Sequence, residues 1–154
     1  MPSEETLMRL AIQASRDALA AGDRPFGAVL ADREGKVLYV ARNTQFSGRD
    51  GLAHAEVQLV REAEAALGAD SLRGATVYAS GEPCAMCSGA LFWAGVARIV
   101  FAARTSTITR LIGGPSLPIQ TAQVYVGANP APRVEGPLLE EEAAVVLAQW
   151  PFGT

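Results

Sequence analysis

An α/β fold is what the sequence predicts, with a mixed sheet covered by helices on both faces. Three observations lead there. Segments of helical and strand character follow one another in the order α-β-β-α-β-α-β, and strands alternating with helices bury a sheet between two helical layers. The first two strands meet across the short turn Asp32-Arg33-Glu34-Gly35, which places one antiparallel hairpin in the sheet. The chain has 154 residues, of which 49% are apolar and 19% charged. That suits one domain over residues 1–154 with a single substantial core.

Each element has a local reason. Ser3 to Ala21 reads as a helix: Leu7, Leu10, Ala11, Ala14 and Ala18 recur at helical spacing, Ser3 is an N-cap, and Gly22 ends the run. Gly27 to Ala31 and Val37 to Arg42 are apolar, β-type runs. Ala53 to Leu67 is alanine-rich and helical, closed by Gly68. Ala75 to Ala79 reads as a short strand, Pro83 to Ala94 as a buried helix with Pro83 near its first turn, and Ala97 to Ala102 as another strand. Thr105 to Ile112 is β-branched and reads as a loop or short helix before the breakers Gly113, Gly114, Pro115 and Pro118. A further strand is expected near Ala122 to Val126. Pro137 to Gln149 is expected as the last helix, with Glu140, Glu141 and Glu142 at its positive end.

Composition narrows the function classes. Net charge is −3, the basic residues are scattered, and Lys36 is the only lysine. A phosphate-tracking surface is not expected, so small molecules are favoured over nucleic acid. No apolar run approaches the ~20 residues of a membrane span. Met1 to Leu10 lacks the pattern of a secretory signal, and a cytoplasmic location is the expectation.

The chemistry concentrates in two short stretches, His54-Ala55-Glu56 and Pro83-Cys84-Ala85-Met86-Cys87. They hold the chain's one histidine and both cysteines. Cysteines at i and i+3 on a helix start project to one side, where the helix dipole favours thiolates. A redox pair is the competing reading of Cys84 and Cys87, but the surrounding text of a thioredoxin-like motif is missing. His54, Cys84 and Cys87 together offer three ligands for zinc. Three protein ligands with a water in the fourth place is the catalytic layout, whereas structural sites are closed by four. Glu56, two residues past His54, is within reach of the same pocket as a proton carrier. The combination H-x-E then P-C-x-x-C marks the zinc deaminases.

Over about Leu7 to Ala102 the sequence resembles the cytidine/deoxycytidylate deaminase superfamily. Glu82-Pro83-Cys84-Ala85-Met86-Cys87-Ser88-Gly89-Ala90 is similar to guanine deaminases and tRNA adenosine deaminases, and Leu91-Phe92-Trp93-Ala94 to the guanine deaminase branch. The resemblance implies a three-layer α/β/α sandwich with a five-stranded mixed sheet, one Zn2+ per chain, and water-driven deamination of a small heterocyclic amine. A homodimer is implied, with helix 84–94 near the interface. It also implies roles in substrate binding for Asn43, the Ala55 amide, the Ser80 carbonyl, Phe26 and Trp93. From the residues alone, Asn43 is equally a polar strand end, and Phe26 and Trp93 are equally core aromatics. Glu82 reads as a structural hydrogen-bonding residue. Trp150 and Phe152 either pack on the core or close over a substrate, in this chain or a neighbour.

The sequence also departs from that branch. The related guanine deaminases use an acidic residue after the fourth strand, while this chain has no Asp or Glu from Pro83 to Val134. Arg104-Thr105-Ser106-Thr107-Ile108-Thr109-Arg110 stands there instead. Guanine, a related purine, cytosine, a nucleoside, a pterin or a triazine all remain open as the substrate. A tRNA substrate is less expected, because a basic surface for an RNA stem is missing.

Overall fold

The computed structural model describes residues 2–152. The helices are α1 (Glu4–Ala20), α2 (Ala55–Leu67), α3 (Ala85–Ala94), α4 (Thr105–Ile112), α5 (Thr121–Val124) and α6 (Glu140–Leu147). The strands are β1 (Gly27–Ala31), β2 (Val37–Arg42), β3 (Thr76–Gly81), β4 (Arg98–Ala103) and β5 (Arg133–Glu135). They form one five-stranded sheet in the order β2-β1-β3-β4-β5. β1 pairs antiparallel with both β2 and β3, and the β3–β4 and β4–β5 pairs are parallel. This is the expected mixed sheet with one leading hairpin.

Side chains alternate across the strands and so divide the core in two. On one face Val29, Tyr78, Val100 and Ala102 pack against Leu7, Met8 and Ile12 of α1 and Ala143, Val146 and Leu147 of α6. On the other, Ala28, Leu30, Val77 and Ile99 pack against Leu59 and Ala63 of α2 and Leu91 of α3. The result is three layers. Small residues let the layers close up: a Cβ at Gly27 would lie 2.6 Å from the Cβ of Ala14 and would also strike the Ala11 backbone oxygen. α1 begins as its sequence indicates, with the Ser3 hydroxyl accepting from the Thr6 amide at 3.1 Å.

In the second half, segment 105–112 takes the short-helix form of its two expected readings: packing of Ile108, Leu111 and Ile112 against the core overrides its weak propensity. Two other expectations do not hold. The strand expected near Ala122 to Val126 does not form. That segment carries the single-turn α5, begun by Gln123, whose Oε1 accepts the Gln120 amide at 2.8 Å, and held by Tyr125, whose hydroxyl donates to the Ser88 carbonyl at 2.6 Å. The fifth strand is instead Arg133–Glu135, too short to show alternation and defined by its pairing with β4. α6 starts at Glu140, behind Leu139 in the left-handed conformation, so Pro137 precedes the helix rather than opening it. The three glutamates still occupy its first turn. No described helix is long and apolar enough to cross a membrane.

Candidate functional site

Two helix starts meet at the site. His54 is the N-cap of α2 and Cys84 the N-cap of α3, and neither side chain caps its own helix. Cys87 follows in the first turn of α3. The His54 Nδ1 lies 3.6 Å from the Cys84 Sγ and 3.5 Å from the Cys87 Sγ. All three ligand atoms fall within 4.8 Å of one another. Zinc bonds of about 2.0–2.1 Å to nitrogen and 2.3 Å to sulfur, at tetrahedral angles, require ligand separations of roughly 3.6 Å. The donor set therefore fits zinc in chemistry and in spacing.

The electrostatics follow from burial at two helix N-termini. The Cys84 thiol is drawn down to about 4, chiefly by the hydrogen bond from Cys87, with burial opposing and His54 adding to the effect. Cys87 is pushed up because it donates to Cys84 and is itself buried. The pair thus shares a proton, and a divalent cation between the sulfurs would displace it. Hydrogen bonding to Cys84 raises the His54 pKa, against burial. Glu56, in the first turn of α2, is only 5% exposed. Burial pushes its carboxyl up to about 7, helped by the negative charge of Cys84, while a hydrogen bond from Cys87 opposes. A carboxyl near neutrality can both accept and release a proton.

These groups open into a cavity of about 430 Å³. His54, Glu56 and Cys84 line it, as do Phe26, Asn43 and the Ala55 position at the start of α2. Asn43 is buried and held in place: its Oδ1 accepts the Gln45 amide at 2.9 Å, and its Nδ2 donates to the Gln45 Oε1 at 2.7 Å. Gly81 forms part of the wall, where a Cβ would come within 2.8 Å of the Phe26 ring and 2.9 Å of Ile108. The Ser80 hydroxyl is buried away from the cavity and accepts the Gly27 amide at 3.0 Å, tying β3 to β1.

Trp93 corrects an expectation. It does not line the cavity of its own chain but stands 84% exposed on α3, edge-on to Phe92 at 5.0 Å. Helical periodicity explains this: Leu91 takes the inward position, and Trp93, two residues on, faces away.

Glu82 is structural, as its sequence context indicated. Its two oxygens accept the Thr105 amide at 2.8 Å and the Thr121 amide at 3.0 Å, so it holds the first turns of α4 and α5. Trp150 is buried in its own chain, stacked on Phe46 at 6.0 Å. With Phe152 it lines a second cavity of about 450 Å³, which shares Arg24, Ile112 and Gly113 with the first.

Several lining residues lay outside the two motifs: Arg24, Gln45, Ile108 and Pro115, Ser116, Leu117 and Ile119. The available signal was adjacency, since Arg24 directly precedes Pro25-Phe26-Gly27 and Gln45 lies two residues past Asn43. Asp23 supports them from behind. Its fully buried carboxylate accepts from Arg42 at 2.9 Å, from the Phe46 and Ser47 amides at 2.9 Å each, and from the Ser47 hydroxyl at 2.6 Å.

The comparisons with known proteins agree with this geometry. Residues 1–103 match the cytidine and deoxycytidylate deaminase zinc-binding region. A probable cytosine deaminase of Schizosaccharomyces pombe is 34% identical over 145 residues, covering 90% of this chain and 86% of that protein. A tRNA-specific adenosine deaminase of Bacillus subtilis is 39% identical over 103 residues, covering 67% of this chain and 63% of that one. Among solved structures, the guanine deaminase from Nitrosomonas europaea superposes with a TM-score of 0.82 at 26% identity, over 97% of this chain and 85% of that one. With a family match across two thirds of its length and the zinc-type donor set in place, the chain belongs to the cytidine and deoxycytidylate deaminase family, a family of hydrolytic deaminases.

Proposed function

We propose that this deaminase acts on a small aminated heterocycle, a purine base such as guanine or a related base or nucleoside. The observation that carries this reading is the position of Glu56: a buried carboxyl beside three zinc-type donors, facing a cavity of about 430 Å³. That volume suits a single base. Overall, water replaces the amino group on a ring carbon, giving the oxo compound and ammonia.

His54, Cys84 and Cys87 would hold the metal, which when bound would supply Lewis-acid activation of the attacking water. Glu56 accepts that water's proton, delivers it to the ring nitrogen beside the reacting carbon, and returns a proton to the departing amine. Asn43 and the Ala55 amide orient the ring by hydrogen bonds, Phe26 packs on it, and the Ser80 carbonyl directs the amine. The guanine deaminase from Nitrosomonas europaea supports a purine substrate. The Schizosaccharomyces pombe relative, similar over nearly the whole chain, supports cytosine as the second reading.

A screen of nucleobases, nucleosides, pterins and triazines for ammonia release tests the reading. Turnover of at least one ring, abolished by Glu56→Ala with zinc retained, is the expected result. A zinc-loaded, folded protein inert on the whole panel would overturn it. A homodimer belongs to the same reading, formed through α3, which exposes Trp93, and the turn after α5, which exposes Val126. Sedimentation of the wild type against Trp93→Glu checks it, the variant being expected to shift toward monomer.

A further inference from the structure

Arg24 lines the cavity beside the zinc-type donors, and its guanidinium is unexplained by the groups around it. Its Nε is sealed from solvent and has no hydrogen-bond partner. Among the described residues no carboxylate pairs with it. The two acids lining the cavity are already committed: Glu56 is held against the thiols, and both oxygens of Glu82 are taken by backbone amides. Buried donors without partners are costly, by about 1–3 kcal/mol for each group. Arg24 is also positioned. The indole of Trp150 lies 5.9 Å from its central carbon, and an aromatic face on one side of a guanidinium leaves the in-plane N–H fork open to a ligand.

We infer that Arg24 is the specificity residue of this pocket, gripping two neighbouring acceptors on the substrate, and that in guanine these are the 6-oxo oxygen and ring nitrogen 7. The inference rests on the aminohydrolase reading above and deepens it. An arginine fork matches that edge of guanine in two parallel hydrogen bonds. The edge lies away from the 2-amino group, which leaves the amine free to face Glu56 and the metal. A cation reading acceptors thus takes over from the acid that is missing between Pro83 and Val134. It also accounts for the position of Arg24 at the junction of the two cavities, where Trp150 can hold it.

Three probes share the 2-amino group: guanine, 7-deazaguanine, which lacks only nitrogen 7, and 2-aminopurine, which lacks the 6-oxo group and with it the proton on nitrogen 1. Ammonia release is measured for each with the zinc-loaded wild type, Arg24→Ala and Arg24→Lys. Binding is measured by calorimetry on Glu56→Ala, with and without the Arg24 changes. In the wild type, guanine is expected to exceed each analogue roughly 10- to 100-fold in kcat/KM and in affinity. Arg24→Ala should level guanine with 7-deazaguanine and narrow the gap to 2-aminopurine. Arg24→Lys should melt like the wild type yet lose most of the discrimination, because an ammonium cannot span two acceptors. Should Arg24→Ala fail to fold, Arg24→Lys alone decides by the same criterion. Discrimination against 7-deazaguanine that survives the Arg24 changes overturns the inference and leaves the aminohydrolase reading standing. Absence of both binding and turnover for all three probes overturns the guanine edge, while the wider panel judges the aminohydrolase reading separately.

Discussion

Glu56 shows how much a single side chain takes from its surroundings. In an exposed helix it would be an ordinary solvated acid. Here burial and the thiolate of Cys84 bring its carboxyl to about 7, near the value that suits proton transfer in neutral solution. Replacing it with alanine should lower kcat roughly 10²- to 10⁴-fold while metal analysis still finds one zinc per chain. Cys87→Ser should instead lose the zinc itself, since the other two donors cannot hold the ion as tightly. A second residue-scale prediction concerns Gly81. Alanine there must displace the Phe26 ring or Ile108 from the pocket wall, so KM should rise more than the melting temperature falls, as paired kinetics and thermal melts would show.

At the scale of elements, two buried or half-buried acids decide where the pocket walls stand. Glu82, at the end of β3, fastens the first turns of α4 and α5. Glu82→Ala removes both acceptors and should cost about 2–3 kcal/mol, read as a lower denaturation midpoint with KM raised because α4 lines the cavity. Glu82→Gln keeps one acceptor oxygen and should recover part of the loss. Asp23 does the same work for the segment after β2, which carries Gln45, Gly51 and Leu52 to the pocket. Burial alone would raise its carboxyl, but the hydrogen bonds from Ser47, Arg42 and Phe46 outweigh it and hold the group below its ordinary value. Asp23→Ala leaves Arg42 and two amides without their partner and should destabilise the protein by roughly 3 kcal/mol.

At the scale of the molecule, metal and protons are the two levers on stability. Zinc bound only by the folded chain adds about 2.7 kcal/mol at a hundredfold excess over its Kd, which for this size raises the melting temperature by about 5–10 °C. A chelator should reverse that shift. Acid acts through carboxyls depressed in the folded state. The Arg98 guanidinium beside Glu135, 2.6 Å away, with Arg133 assisting, brings that carboxyl to about 2 from 4.5. A depressed carboxyl contributes stability that is complete above its unfolded value and lost as pH falls through its folded one. The melting temperature should therefore hold down to about pH 5 and drop between about 4.5 and 2. Arg98, which also meets Glu4, joins β4, β5 and the start of α1, so Arg98→Ala should flatten that window in melts recorded against pH.

The sequence by itself determined what short-range spacing can carry. The leading helix and hairpin, the helix starts at His54 and Cys84, and the quartet His54, Glu56, Cys84 and Cys87 were all legible, because caps, periodicity and the i, i+3 cysteines act within a few residues. Tertiary structure alone decided the rest. The fifth strand is three residues long and exists only because the edge of β4 is there to pair with. Segment 105–112 is helical because Ile108 and Ile112 find a core, and 121–124 turns into a helix because Glu82 and Ser88, more than thirty residues away, hold its amide and its Tyr125. Which aromatics face the pocket was likewise set by packing, which turned Phe26 inward and Trp93 outward. Arg24 became a candidate only when folding placed it on the cavity wall without a partner.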